Sequence, residues 1–282
     1  MIKPALQDEA FLADVRRAQS NDDFFLWWLG QSGFLIKWRD HFLLLDPYLS
    51  DSLTKKYAQT DKPHVRMTEQ VIAPECLRFV DVVTSSHNHT DHLDAETLLP
   101  ILAPEFAKPL LIPEANREFV SKRLGCGEEY PIGLDSSGTV TAGGFTIHAV
   151  PAAHEKIDRD TAGRCHYLGY VIQFGPWTVY HSGDTVLYGG MAVMLSEFPI
   201  DVAILPINGS APERRVAGNL DGPQAANLAH EISARMVIPC HFEMFEFNTA
   251  SPDAFVSSCE KLGQQYRVLR AGERFSSADL SL

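Results

Sequence analysis

The segment Ser86-His87-Asn88-His89-Thr90-Asp91-His92-Leu93-Asp94 constrains this chain more than any other feature. It follows directly on the apolar run VDVVTS (80–85). Four ligand-type side chains, His87, His89, Asp91 and His92, fall within six residues. Imidazole and carboxylate are the usual ligands of zinc, iron and manganese. In an extended stretch, residues i and i+2 point to the same side, so His87 and His89 can grip one ion. The chain then turns, and Asp91 and His92 can face a second ion close by. The bland alternative is a polar loop that happens to hold histidines. With 11 His in 282 residues, three in six positions is improbable by chance.

One loop cannot enclose two ions, so further ligands should lie at other strand ends. FTIHAVPAAH delivers His154, WTVYHSGD delivers Asp184 and MVIPCH delivers His241, each just past an apolar run. Ligands at the carboxyl ends of strands, with helices between, suit a layered α/β sandwich with the site on one edge.

The rest of the chain fits such a layout. FFLWWLGQSGFLIK (24–37) reads as two strands around a tight turn, HFLLLD (41–46) as a third, and residues 80–85 as a fourth. Asp94 is a plausible N-cap for the helix that follows, and Gly125 closes a helix over 114–124. Hairpins are expected at 139–151 and 167–182. Strands are expected at 201–207, 236–240 and 266–270, and helices at 222–233 and 252–263. Residues 47–76 are polar and irregular, a length that is uncommon unless the loop lines a pocket. No fixed repeat and no Ser/Gly/Pro-rich linker interrupts the run, so residues 1–282 are read as one domain.

Acids outnumber bases, 36 against 24, for a formal charge of −12. That balance weighs against non-specific binding to nucleic acid or anionic membrane. No apolar run approaches the ~20 residues needed to span a bilayer. The first residues read as an amphipathic helix over 5–18, not a signal peptide. The five cysteines are scattered, with no CxxC pair. That usage suits reduced thiols in a cytoplasm and argues against a thiolate zinc knuckle. A chain this long folds without a structural metal, so a metal here would be functional.

The pattern H-x-H-x-D-H, followed by isolated His, Asp and His, resembles the metallo-β-lactamase superfamily along nearly the whole chain. WWLGQSGFLIK (27–37), LLLDPYLSDS (43–52), YHSGDT (180–185), DVAILPING (201–209) and VIPCHFEMF (237–245) are similar to one branch, the L-ascorbate-6-phosphate lactonase-like hydrolases. The resemblance implies a four-layer αββα sandwich with a dinuclear site. His87, His89 and His154 would hold the first metal, and Asp91, His92 and His241 the second, with Asp184 as the bridge. Asp46 would orient ligands from beneath the metal loop. His89 stands where the diiron oxygen-reducing relatives place a Glu, which favours hydrolysis. Asp184 stands where many true β-lactamases place a Cys, which argues against a role in antibiotic resistance.

The chemistry so implied is hydrolysis by a metal-bound hydroxide, with Asp91 orienting it and accepting its proton. Two divalent ions are expected, and zinc, manganese and iron all accept His/Asp ligands. The branch implies a lactone or ester of a small anionic, phosphorylated-sugar-like substrate. Cations that could receive a phosphate are Lys55, Lys56 and Arg66 in the long early loop, and Arg214 and Arg215 later. Asn208 could donate to an oxyanion, Glu243 could touch substrate, and His181 could contact substrate or brace the ligands. Each of these has a plain structural reading beside it: a turn-forming Asn, solvated surface charge, a hydrogen-bonded core His. Phe242, Phe245 and Phe247 could wall a pocket or pack on the core. Competing readings are a phosphodiesterase of the N-acyl-phosphatidylethanolamine-cleaving type and a non-catalytic metal-binding scaffold or sensor. Homo-oligomers are common for enzymes of this size, and no sequence patch marks one.

Overall fold

Side chains alternate across a strand, so a strand buried on both faces feeds two separate cores. The first three strands of this protein do so. The computed structural model describes residues 1–102 and 107–281. Its first part runs α1 (Asp8–Arg17), β1 (Phe24–Gly30), β2 (Gly33–Trp38), β3 (His41–Leu45), α2 (Ser52–Tyr57), β4 (Val82–Thr84), α3 (Ala95–Leu102), β5 (Leu110–Pro113), α4 (Arg117–Leu124) and β6 (Ile132–Leu134). Then come β7 (Thr139–Ala142), β8 (Phe145–Pro151), β9 (Leu168–Phe174), β10 (Trp177–His181), α5 (Met191–Leu195), β11 (Val202–Pro206), α6 (Gly222–Glu231), β12 (Met236–Cys240) and α7 (Asp253–Leu262). A last short strand, β13 (Arg274–Ser276), closes the order.

The strands form two mixed sheets. One has the order β13-β1-β2-β3-β4-β5-β6, the other β12-β11-β10-β9-β8-β7. Leu26, Trp28, Phe34, Ile36, Leu43 and Leu45 of the first sheet share one buried cluster with Ile147, Tyr170, Ile172 and Val179 of the second. The Phe24 and Phe174 rings meet across the gap at 5.3 Å. The intervening residues Trp27, Leu29, Leu35, Leu44 and Val83 face the other way, onto Phe11 and Val15 of α1, Leu98 of α3 and Val120 of α4. Beyond the second sheet, Ala225 and Leu228 of α6 and Phe255 and Cys259 of α7 join the buried cluster. The result is the expected helix–sheet–sheet–helix sandwich. Each large side chain so buried contributes roughly 1.5–3 kcal/mol by leaving water.

Helix ends follow local chemistry. Asp8 and Glu9 open α1 and Arg16 and Arg17 close it, so charge complements the dipole at both ends. Asp94 caps α3 through Oδ2, which accepts from the Thr97 amide at 3.0 Å. Gly125 takes the left-handed conformation after α4.

Two expectations are corrected. Residues 266–270 make no strand: Tyr266 forms a single bridge with Val237. The chain then crosses to the first sheet, where Arg274–Ser276 pairs with β1. The crossing depends on Gly272, at φ +78, where a Cβ would sit 2.1 Å from the Leu6 carbonyl oxygen. The stretch 47–76 is not wholly irregular either, since it carries α2 and a 3-10 turn over Pro74–Leu77. No helix among the described residues is long and apolar enough to cross a membrane.

Candidate metal centre

Strands β3 and β4 run parallel in one sheet, and β10, β11 and β12 in the other. Each sheet therefore gathers carboxyl ends on one edge. Asp46 follows β3, the 86–94 loop follows β4, Asp184 follows β10 and His241 follows β12 directly. His154 follows β8, which is antiparallel to β9 and so points the same way as β10. Gln31, Asp46 and His241 all have positive φ, at 50°, 39° and 61°. Left-handed backbone at non-glycine residues costs roughly 1–2 kcal/mol each and collects where geometry serves function. Gly183, at φ +58, lets the Ser182–Asp184 turn close on the loop: a Cβ there would lie 2.6 Å from that of Ser86.

The seven proposed ligands converge. His87, His89 and His154 offer ligand atoms within 4.8 Å of one another, and so do Asp91, His92 and His241. Asp184 lies between the two groups: its oxygens are 3.3 Å from His92 Nε2, 3.3 Å from His241 Nε2 and 3.8 Å from His154 Nε2. A third grouping, Asp46, His87 and His92, brings its ligand atoms equally close together. Asp46 is already engaged. Its Oδ1 accepts from the Ser86 amide at 3.0 Å and from Thr84 Oγ1 at 3.1 Å. Its Oδ2 accepts from Ser86 Oγ and, at 2.7 Å, from His92 Nδ1. The carboxylate therefore fixes the His92 ring with Nε2 turned toward Asp184 and Asp91. The His154 ring is held in the same manner by its Nδ1 and the Gly218 carbonyl, at 3.0 Å.

The donor set fits divalent cations. His87 Nε2, His92 Nε2 and Asp184 Oδ1 are buried and make no hydrogen bond. His92 Nε2 and Asp184 Oδ1 approach to 3.3 Å without hydrogen-bond geometry. A buried polar atom left without a partner costs roughly 1–3 kcal/mol. Three at one point are costly unless something binds there, and all three are metal-ligand types.

Charge reinforces this reading. Burial opposes ionisation of Asp184, but His241 and His92 outweigh it and hold the carboxyl well below the usual range. Burial likewise opposes ionisation of Asp91, and His92 and His241 again prevail. His92 is pushed well up, and His241 to about 9, because Asp184 overcomes the burial that would lower them. Burial drives His89 down to about 4. His87 is lowered by burial and by the neighbouring imidazoles of His92 and His89. The carboxylates of Asp184 and Asp91 thus favour positive charge on the rings they face.

The cluster floors a cleft of about 490 Å³ whose walls include Gln31, Lys56, Tyr57, Lys62, His64, Arg123 and Phe245. Seven residues named as possible substrate contacts, Lys55, Arg66, His181, Asn208, Arg214, Arg215 and Glu243, do not line it. Arg66 is spent on Asp51, the Ser50 carbonyl and the Thr68 carbonyl. Arg214 braces the carbonyls of Asn208 and Thr249. Asn208 is buried and bonded to Asn248 and Asn219. The Glu243 backbone pairs with Thr249 and Thr68. Lys55 pairs with Glu96 and Arg215 with Asp61. His181 is buried beneath the centre, bonded to the Ser32 carbonyl at 2.9 Å. Phe242 packs on Trp28 at 4.6 Å, while Phe245 reaches the cleft. Of the cations named from sequence, Lys56 lines the wall.

Gln31 was not foreseen. Its Nε2 donates to Asp91 Oδ2 at 2.8 Å and lies 3.0 Å from His241 Nε2. Its carbonyl accepts from Trp28 Nε1 at 2.9 Å and from the His241 amide at 3.0 Å. The only sequence signal was its place in the turn between two strong strands.

Known proteins resemble this chain in sequence and fold. A family model described as a beta-lactamase superfamily domain matches residues 26–241. A UPF0173 metal-dependent hydrolase of Pyrobaculum aerophilum is 29% identical over 254 residues, covering 87% of this chain and 96% of its own. Another, from Methanosphaerula palustris, is 30% identical over 197 residues, covering 68% of this chain and 82% of its own. Igni18, a metallo hydrolase from Ignicoccus hospitalis, superposes with a TM-score of 0.65 at 24% identity, over 90% of this chain and 98% of that one.

Proposed function

The chain belongs to the metallo-β-lactamase superfamily, within its UPF0173 metal-dependent hydrolases, and from that premise we propose that it opens a lactone or ester of a small anionic substrate at a dinuclear centre. The observation that carries this reading is the convergence of His87 Nε2, His92 Nε2 and Asp184 Oδ1, buried and without hydrogen bonds, beside a cleft lined by His89, Asp91, His154, Asp184 and His241. In this proposal His87, His89 and His154 would hold one divalent ion and Asp91, His92 and His241 the other, with Asp184 placed within reach of both groups. Zinc and manganese both suit these ligands, with iron a third candidate. Ions held there would lower the pKa of water from 15.7 toward about 7 and polarise the substrate oxygen under attack.

The chain's own residues do the rest. Asp91 orients the attacking water and takes its proton, while Gln31 holds one of its oxygens in place. Asp46 and the Gly218 carbonyl keep the His92 and His154 rings turned to the centre. Lys56, Lys62 and Arg123 line the cleft and form no ion pair among the described residues, though Lys62 donates to the Arg215 carbonyl and Arg123 to those of Asn88 and Leu93, which leaves Lys56, 3.4 Å from Thr90 Oγ1, the least engaged. In a chain of charge −12 that is a local excess of positive potential, suited to a carboxylate or phosphate on the substrate. A phosphorylated sugar lactone, as the branch resemblance suggests, meets both demands. The five cysteines are free, which fits action in a reducing cytoplasm.

The test is hydrolysis by zinc- or manganese-loaded protein of matched phosphorylated and neutral lactones, with bis-p-nitrophenyl phosphate as the phosphodiester control. Lactone turnover lost together with bound metal in Asp184→Ala and His89→Ala supports the proposal. Turnover that persists after metal removal refutes it. A faster reaction with the phosphodiester than with any lactone assigns the bond to the competing class.

A further inference from the structure

His64 is a half-buried imidazole on the wall of the cleft, outside the groups of residues that could hold a metal. Its Nδ1 meets the Lys62 carbonyl at 2.8 Å, so the ring proton sits on Nδ1 and Nε2 carries the lone pair. The ring stacks on Tyr57 at 4.4 Å, meets Phe245 edge-on at 5.2 Å and lies tilted against Phe247 at 5.1 Å. Its own carbonyl accepts from Thr54 Oγ1 at 2.7 Å, which ties the segment to α2. Nε2 makes no hydrogen bond with any described residue, and the side chain lines the same cleft as Asp91 and His241. Burial lowers the pKa of the ring, and Lys56 and His241 oppose its protonation while Asp91 favours it. The neutral ring offers an acceptor on a wall whose neighbouring charged residues, Lys56 and Lys62, offer only donors.

We infer that His64 is a specificity residue whose Nε2 accepts a hydrogen bond from a hydroxyl of the substrate, so that the cleft selects hydroxylated anions over their deoxy counterparts. The inference rests on the proposed reading of the cleft as the substrate site. Three aromatic contacts and two backbone hydrogen bonds pre-orient the acceptor, so little entropy is lost when a hydroxyl docks. A deoxy anion would strip water from Nε2 and return nothing, which is how a polar pocket rejects an apolar isostere. The positive wall alone would not discriminate, because both anions satisfy it equally.

Two chain-length-matched pairs test this by titration calorimetry on the metal-loaded protein: D-gluconate against hexanoate, and glycerol 3-phosphate against propyl phosphate. At least one hydroxylated member should bind about tenfold more tightly than its partner, the value of one well-placed hydrogen bond. The preference should vanish in His64→Phe, which keeps the aromatic packing, and return in part in His64→Gln, which restores an acceptor. In the wild type, the Nε2 ¹⁵N resonance of His64 should shift with the hydroxylated anion and stay in place with the deoxy one, which needs no variant to fold. Equal binding within both pairs, a preference that survives His64→Phe, or an unmoved Nε2 resonance overturns the inference. Hydroxyl preference without hydrolysis of any lactone would sink the hydrolase proposal and leave this one standing. The converse result would do the opposite.

Discussion

Asp46 shows how a residue outside the ligand set can govern it. All its acceptor capacity goes to Thr84, Ser86 and His92. Asp46→Asn would put an amide donor against groups that already donate. We expect a 10–100-fold loss of metal affinity, read by chelator competition, with the fold retained. Gln31→Ala frees one Asp91 oxygen and should lower kcat more than it raises KM, since Gln31 touches a ligand rather than the cleft cations. Equal loss in both constants would place Gln31 on the substrate instead. At this scale the sequence was readable where ligand chemistry is dense, in His87-Asn88-His89-Thr90-Asp91-His92, and opaque where role depends on partners far away in the chain. Arg66 and Arg214 look like free cations in the sequence. Asp51 and a ring of carbonyls consume them in the fold. His64 and Gln31 carry no spacing signal, because the aromatic rings and carbonyls that hold them arrive from other segments.

The elements follow alternation closely where both faces are buried. Trp27 and Trp28 point to opposite cores, as period-two packing requires. The last strand was misplaced because YRVLR has strand-like residues but only one bridging partner, Val237. Arg274–Ser276 is too short and too polar to announce itself, yet it completes the edge of the first sheet. Its one buried apolar side chain, Phe275, packs near Phe24 at 6.2 Å. Phe275→Ala should therefore cost about 3–5 kcal/mol in denaturant unfolding. A cost below about 1 kcal/mol would mean that this edge is dispensable. The turn at Ser182–Asp184 is a second element-scale test. Gly183→Ala forces a Cβ into Ser86 and strains a positive φ. It should displace Asp184 and reduce bound metal, and full metal content in that variant would contradict the proposed bridge.

At the scale of the molecule, the two sheets bring strand ends together from opposite halves of the chain, and Lys56, Lys62 and Arg123 line the cleft at that junction. Metal should therefore act as a cross-strut between halves. At about a hundredfold above its Kd, an ion adds about 2.7 kcal/mol to stability. Chelation should lower Tm by several degrees, at roughly 2–4 °C per kcal/mol for chains of this general size. The most direct test is anomalous diffraction from metal-loaded crystals. The account predicts two peaks roughly 3.5–4 Å apart, one among His87, His89 and His154 and one among Asp91, His92 and His241, with Asp184 reaching both. A lone peak coordinated by Asp46, His87 and His92, or no peak within the cleft, would contradict it.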